Sequence, residues 1–294
     1  MGAIGDNFFQ GESNMITTTA QAKINITLEV LKKRADGYHE IRSIVQTIDF
    51  CDKLRFKADP RIEITCDLPE WSGSKSLVSK SVELLRLAYN TRQGAVIEIE
   101  KHIPLNSGMG GDSSDAAAVL RGLNLLWGLK LSMRELLNLG AQLGSDVSLF
   151  LYGGTLLIEG RGEKVHPLPP MPHMTAVLLI PPGLTMENKT RMLYSQLNVN
   201  HYTSGKITED FANMLEGRVT GQKSSMFNIF DNVGMRYFTG LKEYRRKFIE
   251  AGAVDVHLAG SGPTLFTLLQ DEIKASEIYK NLRQQDLETC LAGF

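Results

Sequence analysis

Between Ile103 and Leu120 the chain reads IPLNSGMGGDSSDAAAVL, with Gly108, Gly110 and Gly111 inside four positions and Ser113 and Ser114 close behind. Glycine lets neighbouring backbone amides turn toward one point and admits an oxyanion where a β-carbon would stand. A helix start adds unpaired N–H groups and the positive end of a dipole. Strand, glycine-serine loop and helix in that order therefore make a cradle for phosphate oxygens. Ser113 and Ser114 add hydroxyls that can donate to phosphate or bind a phosphate-bound Mg2+. The plainer reading of the same residues is a tight connection capped by Ser and Asp. Two familiar phosphate loops do not fit. No lysine follows the glycines as GxxxxGK[ST] requires, and Ser113 stands where GxGxxG puts its last glycine.

Two charged residues suit phosphoryl transfer, which asks a protein mainly for positioning and charge neutralisation. Lys23 lies on the polar face of AKINITLEVL, and Asn25 shares that face roughly 7 Å along the strand. Asp146 lies in LGSDVSLFLYGG, between a helix end and an apolar segment. An ammonium near Asp146 keeps the carboxylate ionised and aims it at an acceptor hydroxyl, while Lys23 offsets charge on the moving group. Taken singly, a strand lysine is a solvated charge and an Asp after Gly-Ser is a helix N-cap.

Positioning these groups requires a regular frame. Ala22, Ile24, Ile26, Leu28 and Val30 alternate with Lys23, Asn25, Thr27 and Glu29, which predicts a half-buried strand. Asp36-Gly37 in RADGYH marks a tight turn, with EIRSIVQTIDF as the return strand. The turn puts Tyr38 and His39 at a loop tip, where an aromatic face offers a planar base roughly 1–3 kcal/mol of stacking; Tyr38 packed on the sheet is the competing reading. SLVSKSVELLRLAYN is helical with serines available as caps, AVIEIEKHI is a strand entering the glycine loop, and SSDAAAVLRGLNLLW is the helix leaving it. SMRELLNLGAQLG gives another helix ending at Gly144. Four of the ten prolines cluster in VHPLPPMPHM, which places a domain boundary there and divides the chain into 15–165 and 166–294. The second half opens with a strand, TAVLLI, and carries a second small-residue loop, LAGSGPTLF.

Bulk properties narrow the class. The chain has 294 residues, 43% hydrophobic and 22% charged, the balance of a soluble globular protein of one large or two ordinary domains. A net charge of -1 gives no general attraction to nucleic acid or an anionic membrane, so phosphate recognition must be local. Cys51, Cys66 and Cys290 are scattered, without CxxC spacing, which fits a reducing cytoplasm rather than disulfides or zinc. No apolar run approaches the ~18 residues that span a bilayer. The opening MGAIGDNFFQGESNM lacks the basic and apolar regions of a signal peptide and reads as an extension, with Met15 as an alternative start.

PLNSGMGGDSSDAAAVL resembles the central motif of the GHMP kinase superfamily, roughly PxGxGLGGGSSDAA. AKINITLEVLKKRADGYHEI and LAGSGPTLF resemble the family's first and last motifs, in order, over 22–266. Asn106 and Ser107 replace small residues of the pattern, and Asp112 replaces its third consecutive glycine; a helix cap is the expected use of Asp112. The resemblance implies an α/β (α+β) fold of two domains, ribosomal-protein-S5-like and then α+β, with the site in the cleft between. It implies ATP and Mg2+ as cofactors, the metal resting on ATP with Ser114 as the one protein contact. Lys23 and Asp146 become the catalytic pair.

The same resemblance distributes the binding residues. Pro104, Asn106, Ser107, Gly108, Met109, Gly110, Gly111, Asp112, Ser113 and Ser114 hold the ATP phosphates. Ser76 matches the region that contacts adenine, and Lys101 reaches toward the nucleotide or ends its strand as a solvated charge. On the acceptor side stand Asn25, Asp146, Gly260 and Ser261. RADGYH narrows the likeness to members acting on 4-diphosphocytidyl-2-C-methyl-D-erythritol, a CDP-linked methylerythritol phosphorylated at its C2 hydroxyl. His39 then contacts cytosine, Tyr38 lines the pocket, and GLTMENKTRMLY supplies Thr190 and Tyr194, the latter stacking on the opposite face of cytosine. FNIFD, residues 227–231, resembles a family stretch and is expected to pack. The other five histidines show no ligand spacing. A mevalonate or homoserine kinase-like activity and a catalytically silent nucleotide-binding homologue are the alternatives, with no nucleic acid or membrane partner and a monomer or homodimer expected.

Overall fold

A two-residue strand, β1 (Phe9–Gln10), pairs antiparallel with the start of an 18-residue strand, β2 (Ile16–Lys33), in a computed structural model that describes residues 9–10, 15–73, 76–184, 186, 188–219 and 225–294. Most of the amino-terminal stretch before Met15 lies outside the described residues. The apolar face of β2 is buried as its alternation predicts, from Ala22 to Val30. Its polar face is buried too, which corrects the half-buried expectation: Lys23, Asn25, Thr27 and Glu29 are each at most 7% exposed. Polar groups tolerate burial when each finds a partner. Asn25 donates to Ser43 Oγ, Thr27 Oγ1 accepts from Ile44 N, and Glu29 Oε2 accepts from Thr208 N at 2.7 Å.

The chain leaves β2 through the RADGYH turn, where Gly37 takes φ +84° and Asp36 Oδ1 accepts from Tyr38 N. A 21-residue strand, β3 (His39–Asp59), returns. β4 (Ile62–Cys66), α1 (Leu77–Ala88), β5 (Gly94–Glu100), α2 (Gly111–Leu126), α3 (Met133–Leu143) and α4 (Val147–Tyr152) follow. Ser76 and Ser132 cap α1 and α3, and Gly144 ends α3.

The chain forms two compact units that do not follow chain order. The first comprises the described residues up to Ala22 with Cys51–Leu105 and Gly110–Gly153; the second comprises Lys23–Phe50, Asn106–Met109 and Gly154–Phe294. In the first unit β5 pairs antiparallel with the second half of β3 and parallel with β4. Helices α1, α2, α3 and α4 pack on one another. The core holds Leu54, Phe56, Ile97, Leu85 and the unbroken run Ala116–Leu120.

In the second unit β6 (Thr155–Gly160) pairs with the first half of β3 and with β7 (Lys164–Pro167). β8 (Thr175–Leu179) begins the remainder, followed by α5 (Lys189–Ser195), α6 (Lys206–Leu215), β9 (Phe227–Asn228), α7 (Phe230–Tyr237) and α8 (Leu241–Glu250). β10 (His257–Leu258), β11 (Leu265–Leu269), α9 (Glu272–Arg283) and β12 (Thr289–Gly293) complete it. β10, β11, β8 and β12 lie in that order in an antiparallel sheet, and α9 packs on it. No helix among the described residues is long and apolar enough to cross a membrane.

Gly122 sits inside α2, where glycine weakens a helix by about 1 kcal/mol relative to alanine. A β-carbon there would stand 2.6 Å from the ring of Phe56, which is fully buried. Overpacking a rigid core typically costs about 1–3 kcal/mol, so it outweighs the propensity gain. Gly122→Ala is therefore expected to lower the melting temperature, a change read by thermal denaturation; a rise would show that the ring yields.

Candidate functional site

The glycine-serine stretch divides between the units at 109/110, and each part has its own geometry. In the first unit Gly110 is the N-cap of α2 with φ +79°, a left-handed conformation that glycine adopts without strain. It makes no side-chain cap bond, so the first-turn N–H groups of Gly111, Asp112 and Ser113 are not covered by a capping side chain. Asp112 is the second helical residue and is exposed. That corrects both readings in which Ser or Asp caps this helix: the chain turns here through a backbone only glycine takes easily. Ser114 is buried and its N–H already bonds Gly110 O.

Lys101 does not reach outward. Its side chain is 2% exposed, and its ammonium lies 2.6 Å from Asp52 Oδ2 and 2.8 Å from Asp115 Oδ2. Asp52 Oδ1 also accepts from His102 N and Ile103 N. Burial alone would lower the Lys101 pKa, but Asp115 and Asp52 together hold it above its ordinary value. Burial pushes the Asp115 carboxyl up, against the pull of Lys101. These three residues clamp the segment entering the glycine stretch to the helix leaving it, and a β-carbon on Gly111 would come 3.2 Å from Lys101 Nζ. Sequence reading missed Asp52, which lies in no motif, and passed over Asp115, although it is the Asp of SSDAA in the central motif. Ser76 is committed locally as well, accepting from Ser79 N and donating to Gly73 O. Asp146 occupies the N-cap position of α4, is exposed, and makes no capping bond with its side chain. The helix-cap reading of Asp146 is right in place and absent in bonding.

In the second unit Lys23 Nζ donates to Asn25 Oδ1 at 2.8 Å, so the two residues share a face as their spacing predicts. The backbone N–H of Lys23 donates to Met109 O at 3.0 Å. Gly108 has φ +92°, and a β-carbon on it would fall 2.1 Å from Ala259 O. One on Gly260 would fall 2.7 Å from Lys23 Nζ and 2.9 Å from Gly108 O. Two small-residue loops thus meet backbone to backbone at the Lys23 side chain. Asn106 takes φ +55°, a conformation asparagine tolerates better than most residues, which accounts for its standing where glycine is usual. Ser107 and Met109 are buried.

FNIFD does more than pack. Asn228 Nδ2 donates to Leu258 O and Gly260 O, and Asp231 accepts from Leu258 N and bonds His257 Nδ1. Sequence reading missed these supports because they act on backbone 30 residues away. Thr190 Oγ1 lies 2.9 Å from Ser261 Oγ, joining two residues that the sequence placed on the acceptor side. Tyr38 is 57% exposed under the guanidinium of Arg161. His39 and Tyr194 stack directly on each other, ring centroids 5.1 Å apart. A base between two rings needs about twice a van der Waals contact of ~3.5–4.0 Å, so this pair leaves no room for one. The Tyr194 face turned toward His39 is therefore taken by that ring. Burial and then Lys33 hold the His39 pKa below its ordinary value, and its Nε2 has no partner among the described residues.

GHMP kinases N terminal domain matches residues 76–154 and GHMP kinases C terminal matches 211–287. A 4-diphosphocytidyl-2-C-methyl-D-erythritol kinase of Dehalococcoides mccartyi is 47% identical over 280 residues, 95% of this chain and 98% of that one. One from Listeria innocua is 37% identical, covering 91% and 92% of the two chains. Among solved structures, a 4-(cytidine 5'-diphospho)-2C-methyl-D-erythritol kinase superposes with TM-score 0.80 at 28% identity over 94% of this chain and 98% of that one. A homoserine kinase from Cytophaga hutchinsonii superposes at 0.70 and 20% identity, covering 97% and 96%, a likeness of fold.

Removing Lys101 would leave two buried carboxylates without their cation, a loss of about 3–5 kcal/mol. Lys101→Met is expected to melt on the order of 10 °C below the parent at pH 8. A carboxyl whose folded pKa is raised stabilises at low pH and loses that contribution as pH rises through the folded value. The deficit should therefore narrow when the melts are repeated at pH 5.5. A pH-independent gap would argue against the clamp.

Proposed function

The chain belongs to the GHMP kinase family, and from that premise we propose that it is an ATP-dependent kinase acting on the C2 hydroxyl of 4-diphosphocytidyl-2-C-methyl-D-erythritol. The reaction is a step of isoprenoid precursor synthesis by the non-mevalonate route, and we place it in the cytoplasm. The substrate rests on curated relatives that carry this activity at up to 48% identity over nearly their whole length. The observation that carries the chemistry is the meeting of Gly108, Gly260 and Lys23, where two backbones approach too closely for any β-carbon beside an oriented ammonium. We assign 15–165 and 166–294 to the family's amino- and carboxy-terminal modules.

In this reading ATP lies with its phosphates on the amides of Asn106 to Ser113 and its adenine toward Ser76. Lys101 supports that loop from behind instead of touching the nucleotide. Lys23, held by Asn25, offsets charge on the γ-phosphoryl group. Asp146 orients the C2 hydroxyl and takes its proton as the new O–P bond forms and the bond from Pγ to the bridging oxygen breaks. The products are ADP and the 2-phosphate. Among the described residues no group of three or more His, Cys, Asp or Glu gathers to hold a metal. Mg2+ usually keeps several waters and rests on substrate phosphates with one or two protein oxygens. Ser114 is the residue that would reach it, and the ion would neutralise phosphate charge.

Tyr194 offers the cytosine a ring face and His39 an unpaired ring nitrogen, with Tyr38 at the pocket edge and Thr190 and Ser261 beside the acceptor. Because His39 and Tyr194 occupy each other's inner faces, the base uses an outer face or parts the pair.

Three measurements test this. Asp146→Asn is expected to keep the parent's melting temperature and lose on the order of 100- to 10,000-fold in kcat, followed by ADP release with the CDP-linked acceptor. Near-parental turnover would remove Asp146 from the chemistry. Tyr194→Leu should raise KM for the acceptor about 5- to 150-fold and leave KM for ATP unchanged. Equal use of mevalonate, homoserine and the CDP-linked acceptor by the parent would overturn the substrate assignment.

A further inference from the structure

Lys189 opens α5, is 5% exposed, and its Nζ has no hydrogen-bond partner among the described residues. A buried ammonium without a partner strongly opposes folding unless something outside the chain completes it. Burial first, and then the like charge of Lys23, push its pKa down to about 7. Neither the acid on the neighbouring helix nor the one two residues before it in the chain is seen to answer it. Asp231, on the α7 helix packed against α5, is engaged by His257 and Leu258 N. Glu187 lies outside the described residues.

The surroundings point to one ligand chemistry. The next residue, Thr190, bonds Ser261, and Gly260 beside Ser261 is the glycine whose missing β-carbon leaves Lys23 Nζ in place. Two ammoniums near enough for one to feel the other's charge and a pair of hydroxyls therefore gather in the second unit. Two like charges at one place repel until an anion joins them, and hydroxyls with backbone amides complete a tetrahedral oxyanion.

We propose that Lys189 is a phosphate-binding residue, its ammonium gripping, together with Lys23, a phosphate oxyanion of the bound substrate. This deepens the kinase reading above and rests on it. The oxyanion belongs either to the diphosphate of the CDP-linked acceptor or to the γ-phosphate of ATP.

Isothermal titration of the parent, Lys189→Met and Lys189→Arg with CDP, cytidine and AMPPNP decides between these. Lys189→Met should bind the ligand whose phosphate it holds about 10- to 100-fold more weakly and bind cytidine as the parent does. A loss confined to CDP places the acceptor diphosphate on Lys189, and a loss confined to AMPPNP places the γ-phosphate there. Parental affinity for both would overturn the proposal. A lysine of pKa about 7 is half neutral at pH 7 and takes up about half a proton when an anion meets it. Titrations in two buffers of different ionisation enthalpy should show that uptake in the parent only, because Lys189→Arg keeps the charge and cannot lose it. Persistence of the uptake in Lys189→Met would also overturn the proposal. Deleting an unpaired buried charge should leave Lys189→Met melting at or above the parent at pH 7; melting well below it would mean a structural partner, Glu187 included, and would sink the idea. If the parent fails to phosphorylate the acceptor while the binding losses stand, the kinase reading falls and the phosphate site does not.

Discussion

Two glycine-bearing loops in the second unit approach so closely that a single methyl group at Gly108 or Gly260 would collide with backbone or with the Lys23 ammonium. Much else follows from that contact. It fixes where Lys23 stands, because the Lys23 N–H bonds Met109 O inside one loop while its Nζ lies against the other. It explains why Asn228 and Asp231 are placed under Leu258 and Gly260, since a loop without side chains must be held through its carbonyls and amides. Glycine is maximally free in the unfolded chain, so such a loop keeps one shape only when it is tied from outside.

The first unit solves a parallel problem with charge. The helix that follows Gly110 begins with amides that no side chain caps, and such a start needs a rigid base. Lys101, Asp52 and Asp115 supply it by linking β3, the end of β5 and α2 in a place water does not reach. A buried triad of this kind is a demanding device, strongly destabilising if any member is lost and only modestly favourable when complete. Its value is geometric: it sets the entry and exit of the loop at fixed positions.

Much of the architecture was legible from pattern. The alternation in β2, the Asp36-Gly37 turn, Ser76 as a cap and Gly144 as a helix end all follow from local chemistry, and each is where the residues imply. The family motifs carried the candidate site, because glycine spacing survives as a string even when its purpose is three-dimensional. What remained unreadable was partnership across the chain. Nothing local says that Glu29 will be covered by Thr208, that Lys101 will be enclosed by two acids, or that Asn228 will hold Gly260. His39 and Tyr194 each look like a surface for a base, and only the folded chain shows that they face each other. Polar alternation told which side of β2 carried Lys23 but not that this side would be covered.

The interleaving of the two units bears on how the molecule comes into being. Strand β2 leaves the ribosome within the first 33 residues, yet β9 pairs with it through Phe227 and Asn228, and Thr208 completes Glu29. A nascent chain halted near residue 200 therefore carries a finished strand whose Glu29 has yet to meet the Thr208 amide that covers it. Residues of the first unit are all made by Gly153, while the second unit waits for the carboxy terminus. Vectorial synthesis thus imposes an interval in which Glu29 lacks its partner and the Gly108 loop lacks its opposing backbone, and cutting the gene at the proline-rich stretch would yield an amino-terminal fragment that holds the whole first unit and a carboxy-terminal one without the Lys23–Phe50 and Asn106–Met109 parts of the second.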